Sequence, residues 1–103
     1  MSSLERRLDL HSKFRSLCDY VYFQPPSDIK LIYPCIIYNK SGRDTLFANN
    51  EAYSQNTLYD VTIIYRDPDS QLPDLIMSNF EYCSILTEHI IDNLYHSVLR
   101  LYY

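Results

Sequence analysis

Glycine is nearly absent from this chain. Gly42 is the single glycine among 103 residues, where about seven would be usual. One glycine cannot build the Gly-rich phosphate loops of dinucleotide-binding or Walker A sites, or the G-x-S-x-G turn of hydrolases. We therefore predict that the protein is not an enzyme of these classes, and we expect no catalytic site and no cofactor.

Basic residues, paired cysteines and long apolar runs are also scarce. The chain has nine Lys and Arg and thirteen Asp and Glu, which gives a net charge of -4. This charge disfavours a protein that coats DNA or RNA. Cys18, Cys35 and Cys83 form no C-x-x-C pair, so we expect buried free thiols in a reducing compartment. No apolar run is long enough to cross a bilayer. The charged stretch Met1–Leu10 is unlike a signal peptide, and we expect folding in a cytosol.

Tyrosine, by contrast, is abundant. The chain has eleven Tyr, 47% apolar and 21% charged residues, and its 12.3 kDa suffices for one modest core. We therefore predict a single domain over residues 1–103. A tyrosine ring buries apolar area while its hydroxyl keeps a hydrogen bond, so tyrosine is common at interfaces. Because one small core needs fewer than eleven, we expect some of these rings at subunit contacts.

Local patterns predict two helices and five short strands. Apolar residues at helical spacing predict helices over 3–18 and 71–79. Alternating or β-branched runs predict strands over 19–24, 33–39, 58–66, 81–88 and 94–103. The alternation of Tyr59, Val61, Ile63 and Tyr65 with more polar neighbours is typical of an antiparallel strand with one covered face. The fold class is therefore α+β: a two-layer domain in α-β-β-β-α-β-β order, with an antiparallel sheet of four to five strands and two helices on one face.

A long polar segment, residues 39–57, separates the second and third strands. Loops of this length inside a compact domain are usually functional or disordered. Its apolar residues favour a contact arm, although a solvated tip is equally compatible with its charges. As the arm's contact residues we predict Lys40, Arg43, Phe47, Asn49, Asn50 and Tyr53.

Three candidate chemical sites have simpler structural explanations. His11, His89 and His96 lack the close ligand spacing of a zinc site, and we expect His96 to order a hairpin around the Asp92-Asn93 turn. The acidic stretch Asp67–Asp74 lacks the Gly and terminal Glu of a calcium loop, which favours carboxylates at a turn and a helix N-terminus. A Cys–His nucleophile pair stays open, although buried structural thiols are the simpler explanation. We predict no metal site.

Five short stretches of the chain form a recognisable series. They are residues 21–26, 33–38, 47–50, 67–73 and 92–103, which read VYFQPP, YPCIIY, FANN, DPDSQLP and DNLYHSVLRLYY. In this order they resemble the tail terminator, or tail completion, proteins of tailed bacteriophages, and the resemblance covers about residue 10 to the end.

This resemblance implies a structural virion protein at the head–tail junction, assembled in the host cytoplasm. Family members form a ring, commonly a hexamer, that stops tail-tube polymerisation and contacts the head connector. The implied partners are therefore other copies of the chain, the tail tube protein and a head-closure or connector protein. Genomic DNA would pass through the lumen without sequence-specific binding, which an acidic ring favours because like charges repel phosphate.

Two other functions stay open at this point. One is a head-closure or neck protein of similar size, which would be distinguished by the neighbour it contacts. The other is a small phage enzyme or regulator, which would be a monomer with a deep polar pocket.

Overall fold

The computed structural model describes residues 3–42 and 57–103, and within them the order of elements is the predicted one. The described elements are α1 (Ser3–Leu17), β1 (Val21–Phe23), β2 (Cys35–Gly42), β3 (Leu58–Tyr65), α2 (Leu72–Asn79), β4 (Cys83–Ile91) and β5 (Leu94–Tyr102). The predicted ends differ most for β2 and β4. β2 continues to Gly42, so the predicted loop begins later than residue 39, and β4 extends three residues beyond Glu88.

The five strands form one sheet in the order β1-β2-β3-β5-β4. The pairs β2/β3, β3/β5 and β5/β4 are antiparallel, as predicted. β1 and β2 are parallel, with Val21 opposite Ile36 and Phe23 opposite Tyr38, so the prediction of antiparallel pairing throughout was wrong here. Because β1 has only three residues, the connection 24–34 returns the chain to the start of β2 without a crossover helix.

Both helices pack on one face of this sheet and enclose a single core. α1 contributes Leu10 and Phe14, and α2 contributes Ile76, all fully buried. On β3 the residues that the alternation predicts to be covered are buried: Tyr59, Val61, Ile63 and Tyr65. Ile64, on the opposite face, is buried as well. The matching face of the neighbouring strands completes the core with Ile36, Tyr38, Leu99 and Leu101. The two-layer α+β class is therefore confirmed.

The ring of Tyr38 lies at the centre of an aromatic cluster. It is fully buried and lies 4.9 to 5.9 Å, centroid to centroid, from four other rings: His11, Phe14, Phe23 and Tyr59. Its hydroxyl is hydrogen-bonded to His11 Nδ1 at 2.6 Å. Tyr38 therefore connects α1 to β1, β2 and β3 by packing. Some of the eleven tyrosines thus belong to the core and not to subunit contacts.

Candidate assembly interface

The outer edge of β4 is the most exposed part of the described sheet. β4 is the last strand in the order and pairs only with β5, and every residue from Ser84 to Ile91 is exposed. Four of these are large aliphatic residues with 40 to 60% of their surface exposed: Ile85, Leu86, Ile90 and Ile91. We name residues 83–91 the β4 flank. An exposed apolar edge strand of this length is a template for association with another chain.

The helix layer stops short of this strand. Ile85 lies directly opposite Leu99 of β5, yet Leu99 is fully buried and Ile85 is 40% exposed. The layer over the core therefore covers Leu99 but leaves much of Ile85 exposed, although Cys83 at the start of β4 packs against the core. The aliphatic residues of β4 have no partner layer within the described part of the chain.

A tight turn fixes the geometry of the β4–β5 hairpin. Asp92 and Asn93 have φ angles of 53° and 63°, and Ile91 lies opposite Leu94. Two consecutive left-handed residues between paired strands form a type I′ turn, which matches the twist of the strands and suits Asp and Asn. The predicted turn is therefore confirmed, and it places Ile90 and Ile91 at the exposed end of the hairpin.

β4 carries few of the devices that usually protect an edge strand. It contains no Pro, Lys or Arg, and Glu88 is its one formal charge at neutral pH. Its pairing with β5 shifts between Ile85 and Thr87, so a bulge at Leu86 interrupts the strand. A bulge limits flat edge-to-edge pairing, and it turns an additional aliphatic side chain outward.

The two histidines of this hairpin face each other across the strands. His89 and His96 are paired, and their rings are stacked at 5.1 Å with an interplanar angle of 11°. His96 Nδ1 lies 3.0 Å from the carbonyl oxygen of Leu94. His96 thus makes a hydrogen bond within β5, and its contact across the hairpin is the ring stacking with His89. Residues 3–42 and 57–103 contain no group of three or more His, Cys, Asp or Glu that could hold a metal ion.

The acidic stretch after β3 forms the turn that the sequence predicts. The backbone N–H of Asp69 donates to Asp67 Oδ1 at 2.9 Å, and the N–H of Ser70 donates to the Asp67 carbonyl at 3.0 Å. Asp74 lies in the first turn of α2, where a negative charge is favourable. These carboxylates therefore shape the connection between β3 and α2.

The three thiols are free, as predicted, and Cys18 and Cys35 are buried, whereas Cys83 is only half-buried. Burial raises the pKa of Cys35 and of Cys83 to about 11, and burial likewise raises the pKa of Cys18. A nucleophilic cysteine needs the thiolate form, which these environments disfavour. The surroundings of all three thiols are those of structural residues.

A polar cluster attaches the end of β5 to α1. The Tyr103 hydroxyl donates to the Asp9 carboxylate, and Lys13 Nζ lies 4.9 Å from the centre of the Tyr103 ring. Lys13 and Arg6 also line an open cavity of about 310 Å³ together with Glu81 and Tyr82. Since Lys13, Asp9 and Arg6 are already engaged with neighbours, the cluster is a structural connection between the two layers.

Of the six residues predicted as a contact arm, the structure describes Lys40. It lies in β2, is exposed, and its backbone N–H donates to Gln24 Oε1 at 3.1 Å. The other five predicted residues lie outside the described residues: Arg43, Phe47, Asn49, Asn50 and Tyr53.

Sequence reasoning missed the aliphatic residues of the β4 flank as contact residues. A signal for them was present in the sequence, because the adjacent pairs Ile85-Leu86 and Ile90-Ile91 break the alternation expected of a strand with one covered face. Adjacent apolar residues place apolar surface on both faces of a strand, and that pattern is typical either of a central buried strand or of an edge that receives a partner.

The chain has no match among the protein-family models, the curated proteins or the solved structures with which it was compared. Within residues 3–42 and 57–103, no helix is both long and apolar enough to span a membrane.

Proposed function

We propose that this protein is a structural virion protein that forms a ring at the end of a phage tail tube and joins the tube to the head connector. The observation that carries the proposal is the uncovered β4 flank, with four large aliphatic residues at least 40% exposed on one edge strand. Contact with another protein would remove this apolar surface from water and cover the unpaired edge of the strand. This is a surface for assembly, as the resemblance to tail terminators implies.

Charge supports the same proposal. The net charge of -4 suits a ring through which DNA passes, because a negative lumen repels phosphate and keeps the DNA from adhering. The half-buried tyrosines outside the core, such as Tyr22 and Tyr33, add amphipathic surface of the kind found at protein interfaces. A hexamer is the assembly that the resemblance implies.

The mass of the purified full-length protein tests the ring. Native mass spectrometry and negative-stain electron microscopy are expected to give one closed species of several copies with a central hole. Ile90→Asp, which places a charge on the most exposed aliphatic residue of β4, is expected to abolish that species while the circular dichroism spectrum stays the same. A wild-type protein that stays monomeric at every concentration measured would overturn the proposal.

Labelling of virus particles tests the location. Gold-labelled antibodies against this chain are expected to bind at the head–tail junction of purified virions. Crosslinking mass spectrometry of the same particles is expected to join this chain to the tail tube protein. Crosslinks to connector proteins alone would favour the head-closure alternative, and absence of the chain from the particles would contradict both roles.

A further inference from the structure

Exposed apolar side chains gather at the two opposite edges of the sheet. In the part of the chain that the structure describes, ten large hydrophobic residues are 40% exposed or more, and seven of them lie at these edges. Four belong to the β4 flank. The other three are Tyr20, Ile29 and Ile32, beside β1 at the opposite end of the strand order.

The second surface consists of β1 and the connection that follows it, and we name residues 20–34 the β1 flank. The connection lies against β1, because the backbone N–H of Ile32 donates to the Tyr22 hydroxyl at 3.3 Å. Two arginine side chains lie over aromatic rings of this flank. Cζ of Arg7 is 4.3 Å from the centre of the Phe23 ring, and Cζ of Arg66 is 5.6 Å from the centre of the Tyr33 ring. Aliphatic side chains here are therefore bordered by cations.

The two flanks carry opposite charges. The β4–β5 hairpin from residue 81 to residue 102 contains three carboxylates, Glu81, Glu88 and Asp92, against one cation, Arg100, which lies 4.0 Å from Asp60. The β1 flank and the side chains packed on it bring three cations against two nearby carboxylates: Arg7, Lys30, Arg66, Asp19 and Asp28. Of these cations, Arg66 also lines a cavity with Asp92 of the β4–β5 turn. Complementary charge around apolar patches favours the correct pairing of two surfaces and opposes a like-with-like contact.

From these two surfaces we infer that the β4 flank of one copy docks on the β1 flank of the next copy. The inference rests on the proposed ring and names the surfaces that close it. Two different, complementary patches at opposite edges of a subunit form a head-to-tail contact, and such contacts generate rings when the rotation closes. A contact of the β4 flank with itself would leave the β1 flank uncovered and would bring Glu88 of both copies to the same interface.

The contact is mainly side-chain packing. β1 offers only three residues for main-chain pairing, and the bulge at Leu86 divides β4. The nine residues of β4 span about 30 Å, since a strand rises roughly 3.3 Å per residue.

Two single variants and their mixture test this contact. Ile90→Asp disables the β4 flank, and Ile32→Asp disables the β1 flank. Both side chains are at least 49% exposed, so both variants are expected to keep the wild-type circular dichroism spectrum. Each variant alone is expected to be monomeric by native mass spectrometry. Their equimolar mixture is expected to form a 1:1 dimer and no ring, because each partner supplies one intact flank.

The outcomes separate this inference from the proposed function. If wild-type protein forms rings and Ile32→Asp forms them equally well, the head-to-tail contact is wrong while the ring stands. If the mixture gives no dimer although both variants are folded, the contact is also wrong. If wild-type protein itself is monomeric, the proposed function fails. As a matched control, Leu4→Asp alters another exposed aliphatic residue, which is 58% exposed and lies on α1 outside residues 20–34 and 83–91, and is expected to leave the ring unchanged.

Discussion

Replacing Tyr38 with alanine removes the side chain that connects the helix layer to three strands. The ring is fully buried and contacts the rings of His11, Phe14, Phe23 and Tyr59. No single neighbour can move into the vacated space without leaving another ring uncovered. A residual cavity is therefore expected, and the cost is that of a large-to-small substitution in a packed core.

The expected loss for Tyr38→Ala is about 3–5 kcal/mol in the free energy of unfolding, as for other aromatic-to-alanine changes in cores. Against a typical domain stability of about 5–15 kcal/mol, this loss leaves the fold marginal. Tyr38→Phe keeps the ring and removes only the hydroxyl bonded to His11, so it is expected to cost about 1 kcal/mol. For a domain of this size, about 1 kcal/mol lowers Tm by roughly 4–8 °C.

Urea denaturation followed by far-ultraviolet circular dichroism measures both changes. The comparison is made in the Ile90→Asp background, because assembly would add a concentration-dependent contribution to the measured stability. Tyr20→Ala is the matched control. Its ring is 40% exposed, so it is expected to change the free energy of unfolding by no more than about 0.5 kcal/mol. A loss of less than about 1 kcal/mol for Tyr38→Ala would refute the assignment of Tyr38 to the centre of the core, since transfer of a buried ring alone exceeds that value.

Three further predictions concern single groups. Burial and then the charges of Arg7 and Arg15 lower the pKa of His11, so the unfolded chain takes up the proton at a higher pH than the folded chain, and the free energy of unfolding falls as the pH decreases below about 6.5, the unfolded pKa. Urea titrations at pH 5 and 7.5 should therefore show a smaller difference in the free energy of unfolding for His11→Gln than for the wild type. An equal difference would contradict this. Burial raises the pKa of Cys35 and Cys83 to about 11, so at pH 8 few of these thiols are in the reactive thiolate form. Thiol reagents at pH 8 should therefore react much faster with the urea-unfolded chain than with the native protein. Equal rates would argue against burial of the thiols. Asn93 has φ of 63°, so Asn93→Gly should keep the wild-type Tm. Asn93→Val should lose about 1–2 kcal/mol in the free energy of unfolding, because a β-branched residue resists the left-handed conformation. Equal melting temperatures for the two variants would contradict the type I′ turn.

The sequence alone determined the elements and much of the core. Helical spacing of Leu10 and Phe14 placed α1, and the alternation along β3 identified the residues that face the core, although not the burial of Ile64. The Asp92-Asn93 pair placed the hairpin turn. These features depend on the local periodicity of one segment and on the backbone preferences of single residues, so they can be predicted without knowledge of the rest of the chain.

Tertiary structure decided which strands are neighbours and which are edges. Hydrogen bonds between strands join residues far apart in sequence, and local periodicity carries no information about the partner. The parallel pairing of β1 with β2 was therefore missed, because it depends on where the connection 24–34 returns the chain. The exposure of Ile90 and Ile91 likewise arises from the position of β4 at the end of the strand order. The same residues in a central strand would be core.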